Sequence, residues 1–182
     1  MESFNNIIGT PGNDTLSGTG ANDQIDGLAG DDMIFGREGM NILFGREGND
    51  RIEGGSQSDT IIGGTGNDTI FGSEGDNAVI GMSGDDVLYS GSGDDYINSG
   101  SGNDTIWLGG GKDLIILVNS DGFDTINNFQ LGQTTLHVGD SSQVSIVDGQ
   151  NGAEISRNGE LLGVVSWTQA STLINNLDQV FV

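Results

Sequence analysis

Gly63-Gly64-Thr65-Gly66-Asn67-Asp68-Thr69-Ile70-Phe71 is the stretch on which the fold turns. Its first four residues hold three glycines, which permit positive φ and close backbone approach, so this half reads as a turn. Its last three residues centre on one aliphatic side chain whose neighbours point the other way. They read as a very short strand with a single inward residue, Ile70.

Steps of nine from Asp68 reach Asp59, Asp50, Asn41, Asp32, Asp23 and Asp14 in one direction and Asn77, Asp86, Asp95, Asp104 and Asp113 in the other. Two residues beyond each stands an aliphatic: Leu16, Ile25, Ile34, Leu43, Ile52, Ile61, Ile70, Val79, Leu88, Ile97, Ile106 and Ile115. Two residues before each stands Gly, except at Ala21 and Gln57. Five before, Gly holds from Gly9 to Gly81 and then gives way to Ser90, Ser99 and Leu108. Chance does not hold such a register through twelve cycles. One short strand can bury nothing alone, but stacking the units as a solenoid gathers all the aliphatics into one core.

Composition narrows the function. The chain has 182 residues, enough for one domain or two small ones. Its 33 glycines exceed the usual share but fall short of collagen's one in three. Acids outnumber bases 27 to 5, for a formal net charge of −22. That balance argues against nucleic acid and anionic membrane, both polyanions, and in favour of cations. Without cysteine there is no disulfide framework, thiolate site or cysteine nucleophile, and a single histidine excludes a multi-histidine zinc site. No apolar run approaches the roughly 20 residues of a membrane span. Met1 to Thr10 shows no basic segment followed by an apolar one, so no N-terminal signal peptide is expected.

The pattern G-G-x-G-x-D-x-(aliphatic)-x resembles the repeats-in-toxin, or RTX, nonapeptide family, over about Gly9 to Ile116. The resemblance implies a right-handed parallel β-roll with two nonapeptides per coil and Ca²⁺ held between the turns of adjacent coils. A site is then shared by repeat n and repeat n+2, and metals form rows on two opposite edges. The implied ligands are paired aspartates and turn carbonyls, here those of Gly12, Gly27, Gly30, Gly45, Gly48, Gly63, Gly66, Gly81, Gly84 and Gly102. Oxygen-only ligation suits Ca²⁺, a hard cation that takes six to eight oxygens.

Sorting the repeats by edge gives unequal rows. The first is Asp14, Asp32, Asp50, Asp68, Asp86 and Asp104, without substitution. The second is Asp23, Asn41, Asp59, Asn77, Asp95 and Asp113, in which only the last pair is free of Asn. The first edge is expected to bind calcium continuously and the second weakly or in part, because fewer ligand charges lower affinity. A row of carboxylates about 4.8 Å apart repels itself unless neutralised. Five sites on the first edge and one at Asp95–Asp113 would bring the formal charge to about −10. With one core aliphatic per repeat, the metal-free chain is expected to be expanded and the loaded chain folded.

The expected fold is all-β: a parallel β-roll of about six coils over residues 1–117 and a C-terminal β cap over 118–182. Phe123 to Gly132 resembles the exit segment that follows RTX arrays. Thr135–Val138, Val144–Val147, Ala153–Ser156 and Leu161–Val165 read as strands, with a hairpin at Asn158-Gly159, and Ser171–Val182 as a short helix or strand. The terminal Asp178-Gln179-Val180-Phe181-Val182 is similar to the uncleaved type I secretion signals of RTX exoproteins, which implies export and folding in extracellular calcium. His137 near Asp140 and Ser141 reads as an ordinary strand residue, not as part of a triad. Glu38, Glu47 and Glu74, at the third repeat position, read as solubilising.

The ninth repeat position presents two apolar ladders, Phe71-Tyr89-Trp107 on one sheet and Phe44-Ile62-Ile80 on the other. Each is expected to meet the cap, a second copy or a glycan or surface partner. Only Thr65 with Asn67 fits the Thr and Asn rows of ice-binding RTX arrays. The functional expectation is a secreted, non-catalytic calcium-binding protein with a structural or cell-surface role. The alternative is a carbohydrate-binding or adhesive module, with no room for a catalytic domain beside array and cap.

Overall fold

The computed structural model describes residues 3–117, 122–130, 132–138, 144–148, 152–157 and 160–166. The strands are β1 (Asn5–Ile8), β2 (Thr15–Ser17), β3 (Asp23–Asp26), β4 (Met33–Arg37), β5 (Ile42–Glu47), β6 (Arg51–Gly55), β7 (Thr60–Thr65), β8 (Thr69–Ser73), β9 (Ala78–Ser83), β10 (Val87–Tyr89), β11 (Tyr96–Ser101), β12 (Thr105–Trp107) and β13 (Leu114–Ile116). Beyond the repeats come β14 (Asp124–Asn127), β15 (Thr135–His137), β16 (Val144–Asp148), β17 (Gly152–Arg157) and β18 (Glu160–Ser166). No helix occurs among the described residues.

Successive strands alternate between two sheets. Odd-numbered strands from β1 to β15 form an eight-stranded parallel sheet, and even-numbered strands from β2 to β14 line the other. Pairing joins residues two repeats apart: Ile52 faces Ile70, Leu88 faces Ile106, and Ile61 faces Val79. One coil is thus two nonapeptides, and the stack is a β-solenoid of about seven turns. From Ile25 to Ile115 every eighth-position aliphatic is fully buried between the sheets. Leu16, nearer the open end, is partly buried.

The stack outruns the twelve repeats at both ends. Before them, β1 pairs with β3, so Ile7 faces Ile25 and Asn5 takes the place of an aspartate. After them, β14 stacks on β12 with Ile126 against Ile106, and β15 on β13 with Leu136 against Ile115. Here the coils are longer: Asp124 lies 20 residues beyond Asp104, not 18. Residues that replace the first-position glycine also turn inward in this part, and Ser90, Ser99, Leu108 and Leu117 are buried. The cap follows as an antiparallel meander, β16-β17-β18, whose last strand runs parallel to β14 and extends that sheet to ten strands. Ala153, Ile155, Leu162 and Val165 join the common core. The cap therefore closes one end of the roll in line with it, as a solenoid end requires. Ser171–Val182, Asp140 and Ser141 lie outside the described residues.

Two glycines show why the turns demand that residue. A Cβ on Gly63 would press on Asp68 Oδ2 and lie 2.9 Å from Gly81 O. Gly66 has φ +118, a region costly for any L side chain, and the Gly48 carbonyl fills the space where its Cβ would go. Gly66→Ala is expected to destabilise the calcium-loaded protein by about 2 kcal/mol or more. Gly12→Ala, where a Cβ meets nothing within 4 Å, should stay within about 0.5 kcal/mol of wild type. Thermal melts of both variants in calcium check this.

Candidate metal centre

The sixth-position side chain has two oxygens with separate duties. Oδ1 of each accepts the main-chain N–H of its counterpart one coil earlier. On the first edge Asp32 Oδ1 takes Asp14 N–H at 2.8 Å, Asp68 takes Asp50 at 2.8 Å and Asp86 takes Asp68 at 2.7 Å. On the second, Asn41 takes Asp23 at 2.9 Å, Asp59 takes Asn41 at 2.7 Å and Asp95 takes Asn77 at 2.8 Å. This ladder serves Asn as well as Asp. It explains why the position is always one of the two before any metal is considered.

Oδ2 has a different fate. It is buried and without a hydrogen-bond partner in Asp32, Asp50, Asp68, Asp86 and Asp104 on the first edge, and in Asp59 and Asp95 on the second. Native proteins leave few buried polar atoms unpaired, and a buried carboxylate oxygen without a partner is costly. Burial therefore raises these carboxyls above their ordinary range. Asp50 and Asp59 are pushed up to about 6, Asp68 and Asp95 to about 7, and Asp86 to about 8. A main-chain N–H to each partly offsets the rise, and neighbouring carboxylates add to it at Asp50, Asp68, Asp86 and Asp95. Such oxygens call for a proton or a cation.

The donor set fits calcium. Among the described residues no three Asp, Glu or His side chains converge on one point. A site must therefore combine side-chain oxygens with backbone carbonyls. Those carbonyls are in reach: Asn77 Nδ2, which stands where an aspartate has Oδ2, lies 2.9 Å from Gly75 O. Oxygen ligands from turns, without nitrogen or sulfur, are those a hard cation takes.

The open turns include those of Gly27, Gly30, Gly45, Gly48, Gly63, Gly66, Gly81, Gly84 and Gly102, whose repeats hold Asp32, Asp50, Asp68, Asp86 and Asp104. The array's first turns differ. Asp14 Oδ2 accepts from Thr10 N–H at 2.5 Å and from its hydroxyl at 2.9 Å, and Asp23 Oδ2 from Thr19 N–H at 2.6 Å and its hydroxyl at 3.0 Å. At the other end Asp95 N–H reaches Asp113 Oδ1 at a longer 3.2 Å. Glu38, Glu47 and Glu74 are exposed, as their repeat position implies. His137 is an exposed residue at the end of β15.

Sequence reading passed over Asp124 as a site residue. It is buried below Asp104 and accepts the Ser99 hydroxyl at 3.0 Å, while Asp104 N–H reaches it at 3.4 Å. Burial and the adjacent Asp104 push its carboxyl up to about 8. The signal was present, because Ile126 follows it by two; the longer coil hid the register. Thr10 and Thr19 were also passed over.

The ladders stay uncovered by the described cap. Phe71 and Tyr89 stack at 4.7 Å with planes 2° apart, and Tyr89 and Trp107 at 6.3 Å and 10°. Arg51 lies over the other face of Phe71 at 4.2 Å. Tyr89 is 36% and Trp107 45% exposed. On the opposite sheet Phe44, Ile62 and Ile80 are half-buried.

Buried, unpaired carboxylate oxygens along the turns of a parallel roll define a calcium-binding repeat protein. The model of the RTX calcium-binding nonapeptide repeat, in four copies, matches residues 8–43, 35–70, 44–79, 53–88, 71–106 and 80–115. The chain belongs to that family and is a calcium-binding β-roll protein. No curated protein gives a significant match. The solution structure of the AlgE6R3 subunit from the Azotobacter vinelandii mannuronan C5-epimerase is similar at 19% identity, with a TM-score of 0.30. That likeness covers 70% of this chain and 78% of the other.

Proposed function

We propose that this chain is an exported, non-catalytic structural protein that calcium folds. The reading is carried by the seven aspartates whose Oδ2 is buried without a partner. The proposed ligands are Asp14, Asp32, Asp50, Asp68, Asp86 and Asp104 on one edge and Asp23, Asp59, Asp95 and Asp113 on the other, with turn carbonyls. Asp124 joins the first edge. Bound calcium supplies the positive charge that the opposed oxygens lack. The chain's own contribution is to hold those oxygens in line through the Oδ1 ladder and to keep water from them by burial. Membership of the RTX family and the acidic balance support export into calcium-rich surroundings.

The test is far-UV circular dichroism of the demetallated protein titrated with calcium, with magnesium as control. A cooperative coil-to-β transition specific to calcium is expected. A chain already β-structured in chelator would defeat the folding role.

For a partner surface, the Phe71-Tyr89-Trp107 ladder supports contact with a flat protein face over sugar binding. A pyranose packs on an aromatic face, and here Phe71 is covered by Tyr89 and by Arg51, which leaves fewer open faces for a sugar. Trp107→Ala is expected to weaken self-association in sedimentation velocity and to leave a glycan array blank. Specific glycan signal lost in that variant would reverse the preference.

A further inference from the structure

Two turns of the second edge need no cation, because an amide closes them. Asn41 Nδ2 donates to Gly39 O at 3.1 Å and Asn77 Nδ2 to Gly75 O at 2.9 Å. Both bonds reach two residues back, to the fourth-position carbonyl of the same turn. The amide orientation is set by its surroundings. Oδ1 must face the N–H of Asp23 or Asp59, which leaves the nitrogen toward the carbonyl. In an aspartate turn the same place holds Oδ2, so an acceptor faces an acceptor, and only a proton or a cation reconciles them.

We infer that Asn41 and Asn77 stand in for calcium in their own turns, so that the second edge takes up metal around Asp59 and Asp95 and skips the turns at Asn41 and Asn77. This rests on the calcium reading above. Asn41 and Asn77 lie 36 residues apart, two coils, so from Asn41 to Asp95 closed and open turns alternate along that edge. Each substitution removes one negative charge and supplies a donor in its place, so the turn is neutral and hydrogen-bonded without a cation. Thr10 and Thr19 place N–H and hydroxyl donors on Oδ2 of Asp14 and Asp23, so calcium at those two aspartates has to displace them.

Native mass spectrometry of the full chain at saturating calcium tests this by counting ions. Asn41→Asp and Asn77→Asp are each expected to add one calcium, and the double variant two. Asn77→Leu should leave the count unchanged while lowering the melting temperature of the loaded protein. Crystals of the wild type should show anomalous calcium peaks beside Asp59 and Asp95 and none in the turns of Asn41 and Asn77. An unchanged count in both Asp variants, or a calcium peak against Gly75 O, would overturn the inference and leave the folding role standing. A wild type that binds no calcium would overturn both.

Discussion

Asp68→Ala is expected to raise the calcium concentration needed for folding by about ten-fold or more, equivalent to about 1.4 kcal/mol or more. Asp68 stands mid-row on the first edge, and its loss is felt twice. Its Oδ1 holds Asp50 N–H at 2.8 Å, and a buried N–H left without a partner costs about 1–3 kcal/mol. Its Oδ2 is one of the unpaired oxygens proposed to hold metal. Because each coil contacts only its neighbours, a gap in mid-row interrupts propagation as well as binding. Asp68→Asn separates the two losses. It keeps the Oδ1 acceptor and offers Nδ2 to the fourth-position carbonyl, as Asn77 does. It is expected to fold with fewer bound calcium ions and a smaller shift than Asp68→Ala. Circular dichroism titrations of the three proteins read this out. Should Asp68→Ala titrate like wild type, the first edge is not where calcium acts.

The second large effect is folding by acid without metal. In the metal-free roll burial holds Asp50 and Asp59 near 6, Asp68 and Asp95 near 7 and Asp86 near 8, against an ordinary 3.8. Between those limits the folded state binds more protons than the unfolded chain. Stability of the metal-free roll is then fully present below the unfolded value and is lost as pH rises through about 6 to 8. Demetallated protein is expected to gain β-structure between pH 8 and pH 5, above its isoelectric point near 4.1. In the same window protons and calcium compete for the same oxygens, so the calcium midpoint rises as pH falls. Circular dichroism against pH in metal-free buffer decides it; a chain that stays coil at pH 5 would refute the expectation.

The nine-residue register made most of this legible. Ile25 through Ile115 are buried, the strands fall two repeats apart and the edges separate as their spacing dictates. What escaped depends on geometry that spacing does not carry. Ile7 and Asn5 continue the register without its glycines. Asp124 and Leu136 continue the stack after coils of unequal length, which a fixed step cannot follow. Asn41 and Asn77 mark the second edge as different, and weaker ligation there is the expectation from sequence. The amide hydrogen bonds give another reason, since those turns are already closed. Stacked rings were readable as a ladder, but not the cover that Tyr89 and Arg51 give Phe71.

The coil of two nonapeptides also limits how such a gene can change length. Deletion of one repeat, residues 69–77 for example, would keep every turn intact and preserve the inward aliphatics. It would nevertheless carry Asp86 and Asp104 onto the edge that now holds Asp59, and Asp95 and Asp113 onto the edge of Asp68. Each downstream surface, with its Tyr89 and Trp107, would rotate to the opposite side of the molecule. The heritable unit of this architecture is therefore eighteen residues, not nine. Recombination in that unit lengthens an edge, and recombination in half of it exchanges the two.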